Sequence, residues 1–140
     1  SAFGFVAINV PDINRSMTKA TVMKYISLGL RALLTLVFVV AGGAKLIGAE
    51  PMVVAFDTIG LGQWFRYLTG LVEIVGVVLL WVPNLQVLGA AMLGATMLGA
   101  VLTHWMVLGP SAMPAIALGL VAAAVLYLYR AQIPAYLGRG

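Results

Sequence analysis

Four apolar stretches long enough to cross a bilayer, with short breaks between them, constrain this chain more than any other feature. A hydrocarbon core about 30 Å thick takes roughly 20 helical residues. The first stretch runs from about Ile26 to Ile47 and the second from Trp64 to Val82. The third runs from Leu85 to Leu108 and the fourth from about Ala112 to Tyr129. Pro51 follows the first, Pro83-Asn84 divides the second from the third, and Gly109-Pro110-Ser111 divides the third from the fourth. Such residues end helices, because proline removes a backbone donor and restricts the residue before it. Trp64, Trp81, Trp105, Tyr127 and Tyr129 fall near the expected span ends, where amphipathic rings favour the interface.

Composition points the same way. Of 140 residues, 63% are hydrophobic and only 9% charged. A soluble domain carries about 25% charged residues, so a chain this apolar could not keep a soluble surface. The reading is an all-α transmembrane four-helix bundle: an arm over residues 1–25, a membrane domain over 26–130 and a tail over 131–140. Residues 1–16 lack the basic start and apolar core of a signal peptide, and read as a flexible arm or an appended segment. The link Gly48–Gln63 mixes apolar residues with Glu50 and Asp57, which suits a short amphipathic helix in the interface.

Charge placement sets the expected orientation. Arg15, Lys19, Lys24 and Arg31 precede or open the first stretch, and Arg130 and Arg139 follow the last. Lys45 and Arg66 lie on the opposite side. The positive-inside rule then puts both termini in the cytoplasm, with a bacterial inner membrane as the expected setting. The net charge of +4 is no sign of nucleic-acid binding, because the basic residues flank apolar spans and form no patch.

Glu73 breaks the second stretch close to the membrane midplane, about 13 Å past Trp64 at 1.5 Å per residue. A carboxylate there is costly and faces a partner within the bundle. Gly70 and Gly76 share its face and let a neighbouring helix approach. Lys45, Arg66 and His104 can converge with Glu73 in the outer half of the bundle, as a ligand site or a structural polar cluster. Each residue also has a plainer reading. Glu73 and Lys45 can simply fix helix register, Lys45 can snorkel to the interface, Arg66 can anchor there, and His104 can be a packing histidine. The small residues Ala91, Ala95, Gly99 and Thr103 suit close helix packing.

Several chemistries are excluded on the residues. The chain has no cysteine, so no disulfide, thiolate metal site or dithiol relay can form. One histidine cannot supply bis-histidine haem ligation, and no carboxylate–histidine cluster has metal-ligand spacing. No phosphate-binding glycine loop and no activated serine or threonine is present, so no intrinsic catalytic site is read.

The stretches "FVVAGGAKL" (Phe38–Leu46), "IGLGQWFRYLTGLVEIVGVVLLWVP" (Ile59–Pro83) and "LGAAMLGATMLGAVLTH" (Leu88–His104) together carry a resemblance. The chain resembles the DoxX-like family of small four-helix membrane proteins over roughly Leu30 to Leu108. More distantly it is similar in fold to vitamin K epoxide reductase-like proteins, whose chemistry needs the cysteines absent here. The DoxX-like resemblance implies Lys45, Glu73 and His104 as the family-type polar positions. It also implies an accessory protein beside a membrane oxidoreductase, with a quinone or lipid as the small molecule and no resident cofactor. Membrane lipids, other membrane proteins and a second copy of the chain are the expected partners. A second class of function is a small homodimeric proton-coupled transporter using Glu73, as in small multidrug exporters. In those exporters the glutamate lies in the first helix, and a glutamate neutralised by lysine is poorly suited to a cationic drug.

Overall fold

The computed structural model describes the backbone of residues 2–109 and 111–138, and the side chains of 14–109 and 111–138. Among the described residues every regular element is helical. The chain forms α1 (Ala2–Ile47), α2 (Glu50–Ile59), α3 (Gln63–Leu79), α4 (Gln86–Thr103), α5 (Met113–Leu128) and α6 (Ile133–Tyr136). A π-helical turn, His104–Leu108, continues α4, and a short 3₁₀ turn, Arg130–Gln132, joins α5 to α6.

Four of these helices share one core. Leu34 and Phe38 from α1, Val77 from α3 with Leu80 just past its end, Leu93 and Met97 from α4, and Ala122 and Val125 from α5 are all buried in it. α1 packs on α3 and α5, α3 on α4, and α4 on α5. Glycines make the two α3 contacts close. A Cβ on Gly70 would stand 3.0 Å from the Gly42 carbonyl oxygen of α1. One on Gly89 of α4 would stand 2.6 Å from the Gly76 carbonyl oxygen, nearer than real Cβ atoms come. The glycines on either side of Glu73 therefore admit different neighbours, α1 beside Gly70 and α4 beside Gly76.

The helix lengths revise the expectation of four spans. Two segments are long and apolar enough to cross a membrane alone, Asn14–Ile47 with 34 residues and Gln86–Leu108 with 23. α5 and α6 together make a third candidate, bent by 57° at the break between them. α3 has 17 residues, about 26 Å at 1.5 Å per residue, which is short of a 30 Å core. Its C-terminal end is fixed by the Pro83-Asn84 turn, where Asn84 takes a left-handed φ of 68°. Helix length thus supports two or three crossings and does not establish four.

Two other segments gain detail. The backbone before Ile26 continues α1 as helix from Ala2, and the side chains of residues 14–26 are exposed. After Arg130, the segment of the 3₁₀ turn and α6 folds back onto the α3–α4 turn. The Tyr136 hydroxyl donates to the Asn84 carbonyl at 2.7 Å, and the Gln132 side chain accepts from the Val87 amide at 3.0 Å.

Candidate functional site

The site begins with the α1–α3 crossing. Gly42 and Gly70 bring the two backbones together and set Lys45, in the last turn of α1, beside Glu73 of α3. The Lys45 ammonium lies 2.8 Å from Glu73 Oε1. Glu73 is fully buried and the Lys45 side chain is 12% exposed, so the pair is shielded from water on one side only. Lys45 also stands at a helix C-terminus, where the backbone dipole favours a cation. Such a pair is weak evidence for net stability, because desolvation offsets its Coulomb gain. Removing one partner alone is strongly destabilising.

A cavity of about 810 Å³ opens beside this pair. Its polar lining comes from Lys45 and Glu73 together with Thr69, Thr96, Thr103 and His104. The remainder is mostly apolar, with Met52, Phe56, Phe65 and Met92 prominent. The Thr96 and Thr103 hydroxyls are bound within their own helix, donating to the Met92 and Ala100 carbonyls at 2.8 and 3.0 Å. Two atoms have no such outlet. Glu73 Oε2 and His104 Nδ1 are buried and have no hydrogen-bond partner among the described residues. Buried polar atoms are nearly always satisfied, so these two are exceptions among the described residues. The cavity's size lies within the range of small-molecule sites, about 300–1,000 Å³.

The helix predicted in the Gly48–Gln63 link is present as α2, and its apolar face roofs this cavity instead of lying free. Met52, Ala55, Phe56 and Ile59 face the space, and the Phe56 ring meets Phe65 of α3 edge-on at 5.8 Å. Gly60 ends α2 in a left-handed conformation at φ 83°, a geometry that suits glycine. The opposite wall comes from α4. Ala95, Gly99 and Thr103, expected to be a packing stripe, line the cavity, and a Cβ on Gly99 would meet nothing within 4 Å. Their small size leaves this space open; the buried face of α4 comes from Gly89, Ala90, Leu93 and Met97. At His104 the helix widens into its π-helical turn, a distortion often found at functional sites.

Arg66 stands apart from the other three expected residues. It is buried but does not line the cavity. One guanidinium nitrogen donates to the Lys45 carbonyl, and Nε donates to Gln63 Oε1 at 2.7 Å. Its guanidinium also lies over the Tyr67 ring, 4.2 Å from the centroid. Arg66 therefore caps α1, where the last carbonyls have no helical partner, and holds the Lys45 backbone in place.

A second arginine, counted in the sequence only toward orientation, does the reciprocal work at the other end. Arg31 of α1 donates to the Leu80 carbonyl at 3.1 Å, capping α3, and to Ser27 Oγ at 3.2 Å. Its guanidinium lies 4.6 Å from the Trp81 ring centroid and 5.6 Å from that of Tyr129. Trp81 Nε1 donates to Thr35 Oγ1 at 2.8 Å, and the Tyr129 and Ser27 hydroxyls share a hydrogen bond of 2.8 Å. The one sequence signal was an arginine five residues inside an apolar stretch. Its partners lie about 50 and 100 positions away and follow no spacing rule.

A family model described as the DoxX-like family matches residues 29–128. The chain belongs to the DoxX-like family. No curated protein and no solved structure matches it. The DoxX-like match reaches beyond the Leu30–Leu108 resemblance and takes in all of α5. It contains Arg31, Lys45, Arg66, Glu73 and His104, and it leaves out α6 and the exposed beginning of α1. Family membership and apolar helices of spanning length make this DoxX-like chain a membrane protein.

Proposed function

We propose that the protein is an accessory membrane protein that holds an amphiphilic small molecule, a quinone or a lipid, beside a membrane oxidoreductase. The observation that supports this reading is the cavity under α2, apolar over most of its wall, with Glu73 and His104 in its lining and each carrying a buried unpartnered polar atom. That arrangement suits a molecule with a greasy body and a small polar head. The chain has no cysteine, and no group of three or more metal-ligating side chains occurs among the described residues. Redox chemistry at this site would therefore belong to the bound molecule and its partner protein. The transporter reading is weaker, because Lys45 at 2.8 Å already holds the carboxylate that such a mechanism would need free.

In this reading all four core helices cross a bacterial inner membrane, α3 with local thinning to match its length, and both termini are cytoplasmic. A reporter fused after Gly140 then reports the cytoplasm, and one placed between Gly48 and Gln63 reports the outer compartment. The reverse pattern would overturn the orientation.

The test of function is gentle native purification followed by mass spectrometry of co-purifying proteins and small molecules. A partner oxidoreductase with a quinone or lipid bound is the expected result. A homodimer that exchanges protons for a cation in liposomes, and stops doing so with Glu73→Gln, would establish the transporter instead.

A further inference from the structure

We infer that the cavity selects an uncharged head that donates a hydrogen bond: a hydroxyl-bearing amphiphile, in preference to a carbonyl, phosphate or amine head. The inference rests on the reading of the cavity as a ligand site and names the chemistry of its occupant.

Three observations carry it. First, Lys45 and Glu73 are the charged side chains in the wall, and they cancel each other at 2.8 Å. The nearby guanidinium of Arg66 is committed to the Lys45 carbonyl and Gln63 and lies outside the wall. Among the described residues no uncompensated lysine or arginine remains there to receive a phosphate. An amine head would stand beside the Lys45 ammonium and compete with it for one carboxylate, a like-charge contact in a poorly solvated space.

Second, the fully buried Glu73 has one oxygen engaged by the ammonium and the other, Oε2, without a partner. A carboxylate held by an ammonium only accepts hydrogen bonds. A ligand that satisfies Oε2 must therefore donate. A hydroxyl does; a carbonyl sets an acceptor against an acceptor. Third, His104 Nδ1 is also unpartnered. An imidazole nitrogen donates or accepts according to its tautomer, so His104 accommodates the second atom of a hydroxyl-rich head without dictating it.

The reduced, dihydroxy form of a quinone and a simple alcohol both fit this description, and the oxidised quinone does not. The experiment measures binding of decylubiquinol, decylubiquinone, 1-decanol, decyl phosphate and decylamine to the wild-type protein in detergent, by native mass spectrometry and thermal shift under anaerobic conditions. Decylubiquinol is expected to bind about tenfold tighter than decylubiquinone, the ratio given by one hydrogen bond worth about 1.4 kcal/mol. The phosphate and the amine are expected to compete poorly. If 1-decanol matches decylubiquinol, a lipid alcohol suffices; if it is much weaker, the quinol ring contributes. Either result supports a hydroxyl-selecting site.

Glu73→Gln replaces the acceptor by an amide that can also donate, so the preference is expected to fall below about threefold. The wild-type comparison stands even if that variant folds poorly. Equal binding of the two quinone forms, with both lost in Gly99→Leu, would leave the cavity a ligand site and overturn the hydroxyl preference. Binding of no probe, with Gly99→Leu changing nothing, would overturn both.

Discussion

The two ends of the helix core are built from the same materials and finished differently. At the Asn84 end, Arg31 caps α3, Gln132 caps α4, and Trp81, Tyr129 and Tyr136 each find a partner. At the His104 end, Arg66 caps α1 in the same manner, but an open space remains behind it. Among the described residues, the buried side-chain atoms without a hydrogen-bond partner, those of Glu73 and His104, belong to this end. α1 and α3 thus clamp each other reciprocally, each lending an arginine to the other's C-terminus. The contrast is between polar groups that are satisfied and fix geometry at one end, and polar groups left without a protein partner at the other, which the proposed function assigns to a ligand.

The sharpest way to break this contrast is to disrupt the Lys45–Glu73 pair. Lys45→Met leaves a buried carboxylate without its cation and is expected to cost about 3–5 kcal/mol. Glu73→Gln should cost less, because the lysine chain can swing its ammonium toward the exposed side. The double variant should recover part of the loss in a thermal unfolding cycle in detergent. Strictly additive losses would mean that the two side chains do not interact.

The next effect belongs to the other end. Arg31→Met removes the hydrogen bond to Leu80 and the stacking on Trp81 and Tyr129, leaving a helix-end carbonyl bare. A stability loss of about 2 kcal/mol is expected, the usual penalty for an abandoned buried acceptor. Ligand binding at the His104 end should change less than about twofold, because distant sites without shared partners act independently. Loss of binding in Arg31→Met would show that the ends are coupled through α1 and α3.

Filling the cavity inverts that result. A Gly99→Leu side chain points into open space, and a helical glycine is about 1 kcal/mol worse than a better helix former. Stability is expected to hold or rise by less than about 1 kcal/mol, while the ligand that co-purifies with the wild-type protein is lost. A stable variant that still retains it would place the ligand elsewhere.

How much of this could be read from the sequence follows from the range of each interaction. Glu73, Lys45 and His104 could be placed because charged or polar residues in apolar helices are few, and helical period fixes their face and depth. The Lys45–Glu73 contact follows from that placement, as do the glycines beside the carboxylate. The cavity does not, because it depends on where α2 lies, and an amphipathic decamer fits a lipid surface as well as a protein one. The role of Ala95, Gly99 and Thr103 was misread for a related reason: small residues permit close packing and open space alike, and only the neighbours decide. Arg66 reads from the sequence as an interfacial anchor and Arg31 only as an orientation charge, because the helix ends they cap are distant in the chain.

The smallest effect tests where the clamped core stops. α1 continues past the Asn84 end as a helix whose side chains 14–26 are exposed, carrying Arg15, Lys19 and Lys24. The segment Asn14–Ile47 is about 51 Å long at 1.5 Å per residue, against about 30 Å of hydrocarbon, so its beginning must project from the membrane. A projecting helix that buries nothing contributes little, since most helical stability comes from packing one face. Removing residues 1–23 keeps Ser27 and Arg31 in their network and should shift unfolding stability in detergent by no more than about 0.5 kcal/mol, the range of surface changes. The comparison is made on the same detergent-purified protein, at two concentrations tenfold apart. A loss above about 2 kcal/mol that also depends on concentration would mean that the projecting helix is covered in solution by a second copy of the chain. The Asn84 end would then be the protein's assembly surface as well as its closed end.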